Sequence, residues 1–218
     1  MKITVNGVEL YYEVMGEGRP LLMIHGNSED HTIFNEAADV LKEMYRVYLI
    51  DSRDHGQSQK VPELHYADMA QDLLAFMDAL DLKDVVFYGF SDGGILGLLC
   101  AQKTDRITYL ITSGANMTPK GVKAPLRAFI RTMYVLTRDQ KMKMMLKEPQ
   151  ITWKELANIQ CPAAVIAGEN DLVTEEETRE IALAVPNAKL MILPKEGHGS
   201  YIVHKTKIAG LIIKILGR

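Results

Sequence analysis

Two short alternating runs open the chain, Ile3–Val5 and Glu9–Val14, with Asn6-Gly7 between them. Asn and Gly both tolerate positive φ, so this dipeptide between strand-like runs predicts a β-hairpin. After Pro20 the pattern changes. Apolar runs now occur at Leu21–Ile24, Tyr45–Ile50, Val85–Phe90, Ile107–Thr112, Ala163–Ala167 and Lys189–Leu193. Runs that are apolar on both faces are expected of parallel strands covered by helices. Helical spacing fills the gaps. In His65–Leu80 it aligns Met69, Leu73, Phe76, Met77 and Leu80, and Gly94–Lys103, Thr174–Ala184 and Tyr201–Leu216 are further helices. Strand and helix alternate through most of the chain, which predicts an α/β fold with a mostly parallel sheet.

One stretch interrupts the alternation, between Ala115 and Pro162. Asn116–Gln150 holds eight Lys or Arg against Asp139 and Glu148, a local charge of +6 in a chain of net −3. Leu126, Phe129, Ile130 and Met133 recur at i, i+3, i+4, i+7, the signature of an amphipathic helix. Five of the twelve Met residues also lie here. Residues 116–150 therefore read as a helical insertion lying over the core of a single domain, 1–218.

The 218 residues suffice for a buried core without disulfide staples. With 47% hydrophobic and 24% charged residues, disorder and fibrous architectures are excluded. A net charge of −3 argues against nucleic-acid binding through a broadly basic surface. Apolar runs such as Ile95–Ala101 are too short to cross a bilayer, and the first residues lack the apolar block of a signal peptide. Cys100 and Cys161 both lie in apolar runs and read as buried free thiols, which suits a reducing cytoplasm. No His/Cys/Asp cluster has metal-ligand spacing and no Walker-type loop occurs, so neither metal nor cofactor is expected.

The strongest chemical signal is Gly89-Phe-Ser-Asp-Gly-Gly94, between the strand Val85–Tyr88 and the helix Gly94–Lys103. A serine at so sharp a strand-to-helix turn exposes its Oγ, and the helix N-terminus favours negative charge developing on a substrate. Ser91 needs a base, and the base needs an orienting acid. His198, in Glu196-Gly-His-Gly199 after the strand Lys189–Leu193, is the candidate base. His204 is expected inside the last helix, while His31 and His55 sit in loops with no clear partner. Asp171, in Gly168-Glu-Asn-Asp171, is the candidate acid. Oxyanion donors are expected from the backbone N–H of Asp92 and, in the loop His25-Gly-Asn-Ser28, that of Asn27. His25 reads as a brace for that loop.

These motifs, with Asp51-Ser-Arg-Asp-His-Gly-Gln-Ser58, resemble the α/β-hydrolase superfamily over nearly the whole chain. The resemblance implies an eight-stranded sheet with a lid inserted after the sixth strand, where 116–150 lies. In the Asp51–Ser58 turn, relatives usually carry Gly where this chain has Asp54. Members with an Asp nucleophile, the dehalogenases and epoxide hydrolases, do not fit Ser91. Hydrolysis of a small-molecule carboxylic ester through an acyl-enzyme is the expected activity. Thioesterase, C–C bond hydrolase and perhydrolase or acyltransferase chemistry use the same triad. A non-catalytic binding or scaffold protein is the alternative of a different class. Asp92, next to the nucleophile, is a candidate for recognising a substrate ammonium, or else for stabilising the positive helix end. Phe129 and Met133 of the lid are candidates for contacting an apolar part of the substrate.

Overall fold

Asn6 (φ +46°) and Gly7 (φ +77°) turn the chain between β1 (Lys2–Val5) and β2 (Val8–Met15), the hairpin that this dipeptide predicts. The computed structural model describes residues 1–217. The remaining strands are β3 (Arg19–Ile24), β4 (Tyr45–Ile50), β5 (Val85–Phe90), β6 (Ile107–Ser113), β7 (Ala163–Asn170) and β8 (Ala188–Gly197). They form one eight-stranded sheet in the order β1-β2-β4-β3-β5-β6-β7-β8. Pairing is antiparallel at β1/β2 and β2/β4 and parallel from β4 to β8. The helices are α1 (Asn35–Leu41), α2 (Tyr66–Ala79), α3 (Asp92–Ala101), α4 (Ala124–Thr137), α5 (Gln140–Lys147), α6 (Trp153–Leu156), α7 (Glu175–Ala184) and α8 (Lys207–Ile215).

Successive side chains along a strand point to opposite faces, so each apolar run feeds two cores. Leu22, Ile24, Val85 and Phe87 pack with Leu73 and Phe76 of α2 and Ile95 and Leu96 of α3. Leu21, Met23, Val86 and Tyr88 pack with Ala37 and Leu41 of α1 and Ile208 and Ile212 of α8. This two-sided covering is why the central strands carry no polar alternation.

Two elements differ from the sequence reading. α1 was not anticipated, because its buried residues are Ala37, Ala38 and Leu41, two of them too small to mark an apolar stripe. The last helix begins at Lys207 rather than Tyr201. Before it, Ile202 and Val203 both donate to the Gly199 carbonyl, and His204 takes φ +52°, which breaks helical continuity. His204 therefore lies in that turn, exposed, with Nδ1 3.3 Å from Glu36 Oε2.

β3 lies between β4 and β5, so the chain leaves its carboxyl end in opposite directions on the two sides. Such a switch point opens a crevice at the strand ends. The loop after β4 forms one wall of its foundation. Asp51 is fully buried; its Oδ1 accepts from the N–H and Nδ1 of His31, each at 2.8 Å, and its Oδ2 accepts from Gln57 N–H at 2.8 Å. His31 thus has a partner that its own loop does not reveal. Arg53 donates through Nε (2.6 Å) and Nη2 (2.5 Å) to Asp72 of α2, which also accepts from Asn6 Nδ2 at 2.9 Å. Asp54 takes φ +64°, in the left-handed region that glycine occupies most freely and Asp tolerates better than most residues. Its carboxylate pairs with Lys141 of α5, a contact glycine would not make.

Arg53 and Asp72 are both buried, and the other acid near Arg53, Asp68 at 3.6 Å, is half exposed, so removing Asp72 leaves a buried charge with only a solvent-screened partner. Asp72→Ala is expected to destabilise the protein by about 3 kcal/mol, read as a lower urea midpoint with an unchanged m-value. An unchanged midpoint would show that the pair contributes nothing net.

Candidate active site

β5 hands over to α3 within one residue. Ser91 takes φ +53° and ψ −114° at this turn, a strained conformation for a residue with a side chain. Close approach makes glycine necessary on both sides. A Cβ on Gly89 would lie 2.0 Å from the Gly93 carbonyl oxygen, and one on Gly93 would lie 2.0 Å from that of Ile24. Ser91 N–H donates to Ser113 O at 2.7 Å, tying the turn to β6.

His198 follows β8, and its Nε2 lies 3.0 Å from Ser91 Oγ. Its Nδ1 lies 2.6 Å from Asp171 Oδ1. An ionised carboxylate only accepts, so Nδ1 carries the proton and Nε2 is left to accept from the serine hydroxyl. The Phe90 ring, 4.9 Å from the imidazole centroid, supports the ring's position. Asp171 is buried at the end of β7 and also accepts from Gly168 N–H (3.2 Å) and Val173 N–H (3.0 Å). Burial alone would raise its carboxyl. The His198 hydrogen bond and the two backbone donors outweigh burial and hold it below the ordinary carboxylate value. The three residues come together from three separate strand ends.

The loop after β3 is braced by His25. Its Nδ1–H donates to Gly26 O at 2.7 Å, while its Nε2 accepts from Ser52 N–H at 3.1 Å. This fixes the tautomer, and burial holds the ring below its ordinary pKa, in the neutral form. Asn27 and Asp92 face each other across the crevice. Asn27 Nδ2 donates to Asp92 Oδ2 at 3.0 Å, and Tyr66 Oη donates to Asp92 Oδ1 at 2.7 Å. Among the described residues, neither the Asn27 nor the Asp92 backbone N–H is taken by a protein acceptor.

These groups open into a cavity of ≈ 230 Å³. Its floor is Asn27, Glu29, Ser91, Asp92, Asn116 and His198; its roof comes from Leu126, Phe129 and Ile130 of α4 and Met142 and Met145 of α5. Phe129 is thus in the wall. Met133, one turn further along α4 than Ile130 and Phe129, is not, and the two α5 methionines occupy that part of the roof instead. No Lys or Arg lines the cavity despite the basic character of residues 116–150. Burial raises both carboxyls of the floor, Asp92 and Glu29, above their ordinary values.

Sequence reasoning missed Glu29, whose Oε2 accepts from Gly26 N–H at 3.0 Å, and Tyr66. It also missed the ties of the roof to the body. Glu148 accepts from Tyr66 N–H at 3.1 Å and lies 2.6 Å from His65 Nδ1, and Glu177 of α7 accepts from the N–H groups of Met117 (2.6 Å) and Thr118 (2.9 Å). Each joins residues far apart in the chain, so no local spacing announces it. Asp30, His31 and Asp51 present ligand atoms within 4.8 Å of one another, but both Asp51 oxygens already accept protein hydrogen bonds. That grouping reads as scaffold.

A serine on a strand-to-helix turn, backed by a histidine and a buried aspartate at the carboxyl edge of a mostly parallel sheet, is the arrangement built around a nucleophile elbow. A family model of the alpha/beta hydrolase fold matches residues 19–132, and the chain belongs to that family. The match includes Ser91 and ends before Asp171 and His198. The human serine hydrolase BPHL (Homo sapiens) is 28% identical over 92% of this chain and 80% of its own length. The AB hydrolase superfamily protein YisY of Bacillus subtilis is 25% identical over 96% of each chain. Among solved structures, a thermophilic esterase from Thermogutta terrifontis superposes with a TM-score of 0.84 at 22% identity, covering 100% of this chain and 98% of that one. The enol-lactonase from Burkholderia xenovorans superposes at 0.82 and 22% identity over 100% of both. At these identities the superpositions speak to the fold.

The foundation of the site carries a pH dependence. His55 is buried beside His25, its Nδ1–H donates to Arg53 O at 2.9 Å, and its Nε2 has no protein partner. Burial, and the nearby His25, hold its pKa at about 4. The unfolded chain binds this proton near pH 6.5 and the folded chain does not, so stability falls as pH drops from about 6.5 to about 4. His55 alone accounts for roughly 3 kcal/mol of that loss. Urea midpoints measured across this range should slope less steeply in His55→Gln than in the wild type, and equal slopes would remove His55 as the cause.

Proposed function

We propose that this protein is a serine hydrolase that cleaves small-molecule carboxylic esters through an acyl-enzyme. The observation that carries the reading is the continuous relay from Asp171 through His198 to Ser91, at 2.6 and 3.0 Å. Ser91 Oγ attacks the ester carbonyl carbon as His198 Nε2 takes its proton. The carbonyl oxygen becomes an oxyanion, met by the Asn27 and Asp92 N–H groups and the positive end of α3. Collapse breaks the C–O bond to the alcohol, which leaves with the proton from His198. Water then attacks the acyl-serine by the same route, and the acid departs with Ser91 restored. Asp171 holds the imidazole tautomer and stabilises the imidazolium. An intact relay favours catalysis over a binding or scaffold role.

Residues 116–150 act in this reading as a lid, with Phe129 and the Met142 and Met145 side chains meeting an apolar acyl or alcohol group. Methionine adapts to varied apolar shapes, which suits a cavity that accepts more than one substrate. The likeness to the human serine hydrolase BPHL agrees with a serine hydrolase. The reduced thiols of Cys100 and Cys161 fit a cytoplasmic setting.

Two carboxyls and no Lys or Arg at the cavity oppose a substrate anion near the scissile carbonyl and favour a neutral or ammonium-bearing one. The carboxylate of Asp92 also sits where it stabilises the first turn of α3. Across p-nitrophenyl esters of valine, butyrate and succinate, the succinate ester is expected to have the lowest kcat/KM, by at least about tenfold. A succinate ester turned over as well as butyrate would show that the floor carboxyls do not select charge.

Labelling by a fluorophosphonate probe tests the mechanism itself. The wild type should label and turn over ester, and Ser91→Ala should lose both, with kcat falling by roughly 10³-fold or more. Asp171→Asn should keep the fold and lose about 10⁴ in kcat. A folded wild type that neither labels nor hydrolyses would overturn the assignment.

A further inference from the structure

α4 has three faces rather than two. At about 100° per residue, Leu126, Ile130 and Met133 turn toward the body. Arg127 and Arg131 form a second row, and Arg138, the left-handed residue that ends α4, follows them. Phe129, Val135 and Leu136, with Pro125, Ala128 and Thr132, form a third that is uncovered: Phe129 is 59%, Val135 58% and Leu136 73% exposed. The uncovered apolar stripe therefore runs beside a row of arginines, none of which pairs with an acid among the described residues. The two acids of the region are used elsewhere. Asp139 caps α5 by accepting from Lys141 N–H, and Glu148 is held by His65 and Tyr66. Within this stripe Phe129 also lines the cavity, as does Leu172, 41% exposed.

We propose that the outer face of α4 docks on an anionic lipid surface, with Val135, Leu136 and Phe129 entering the headgroup boundary and the arginines meeting lipid phosphates. An exposed amphipathic helix with a basic flank lies in such an interface, and its affinity combines apolar burial with attraction to anionic headgroups. Charge decides between this partner and a second copy of the chain. A second copy would bring no acid from this helix to pair with the arginines, and antiparallel packing would set one arginine row against the other. Among the described residues no helix is long and apolar enough to cross a membrane, so the contact is peripheral. Docking in this orientation turns the cavity rim toward the lipid. If Ser91 acts as proposed, apolar esters dissolved in the membrane reach it without crossing bulk water.

Co-sedimentation with vesicles tests the docking separately from catalysis. The full chain is mixed with vesicles of phosphatidylcholine alone or of equal parts phosphatidylcholine and phosphatidylglycerol. Binding is expected only to the anionic vesicles, equally for wild type and Ser91→Ala, and lost at high salt. The double variant Val135→Ser/Leu136→Ser is expected to bind about tenfold more weakly, with its circular dichroism and its turnover of a soluble ester unchanged. Arg131→Gln/Arg138→Gln is expected to lose about fivefold per charge. Equal binding to both vesicle types, no binding to either, or variants that bind like the wild type would overturn the proposal. So would a dimer in lipid-free solution that Val135→Ser/Leu136→Ser dissociates, which would make the face a contact between copies.

Discussion

Ser91 stands at φ +53° because β5 gives way to α3 without an intervening loop, and that handover brings the backbones of Gly89, Gly93 and Ile24 almost into contact. Everything else in the crevice is referred to this point. The sharp turn lifts Oγ above the sheet edge, aims the first turn of α3 at the same space, and sets the Asp92 N–H opposite the loop that carries Asn27. The sheet order supplies the second half of the arrangement. β3 and β5 are neighbours at the reversal of strand order, so the two loops that leave them share one crevice. Strain of this kind persists only where the surroundings over-determine it, and here Gly93 N–H bonded to His25 O and Ser91 N–H bonded to Ser113 O hold the turn from both sides.

Wholly or partly buried carboxyls do different jobs in this molecule, and their surroundings separate them. Asp171 has a histidine and two backbone donors, which outweigh burial and keep it ionised. Asp92 and Glu29 have neutral or backbone donors, and burial raises both. Asp51 and Asp72 are scaffold, one collecting the N–H groups of two loops and the other pairing with Arg53. The same side-chain chemistry therefore provides a partner for the His198 ring, a polar cavity floor and two internal ties.

Residues 116–150 are tied to the body by polar contacts, Asp54 with Lys141, Glu148 with His65 and Tyr66, and Glu177 with the Met117 and Thr118 amides, and by Met117 and Met144, which join the core. Its other apolar residues divide between the cavity roof and an outward stripe. Asp54 links the two halves of this description. It occupies a left-handed position, and its side chain reaches Lys141 of α5.

Much of this was legible along the chain. Period-two and period-3.6 patterns carried the strand and helix order, because a two-sided sheet leaves uninterrupted apolar runs and a covering helix leaves a stripe. Gly-x-Ser-x-Gly between a strand and a helix located the turn, since only glycine fits there, and the strand ends located Asp171 and His198. The start of the last helix and the whole of α1 were not legible: a positive φ at His204 and a helix packed through alanines leave little trace in hydropathy. Nor were the partners of His31, the role of Glu29, the exclusion of Met133 from the cavity or the ties of the insertion. The sequence by itself determined the local elements and the chemistry available at their ends, because backbone sterics and periodic burial act over a few residues. Only the tertiary structure decided which of those groups meet, because a contact across dozens of residues depends on strand order and helix packing, which no local pattern records.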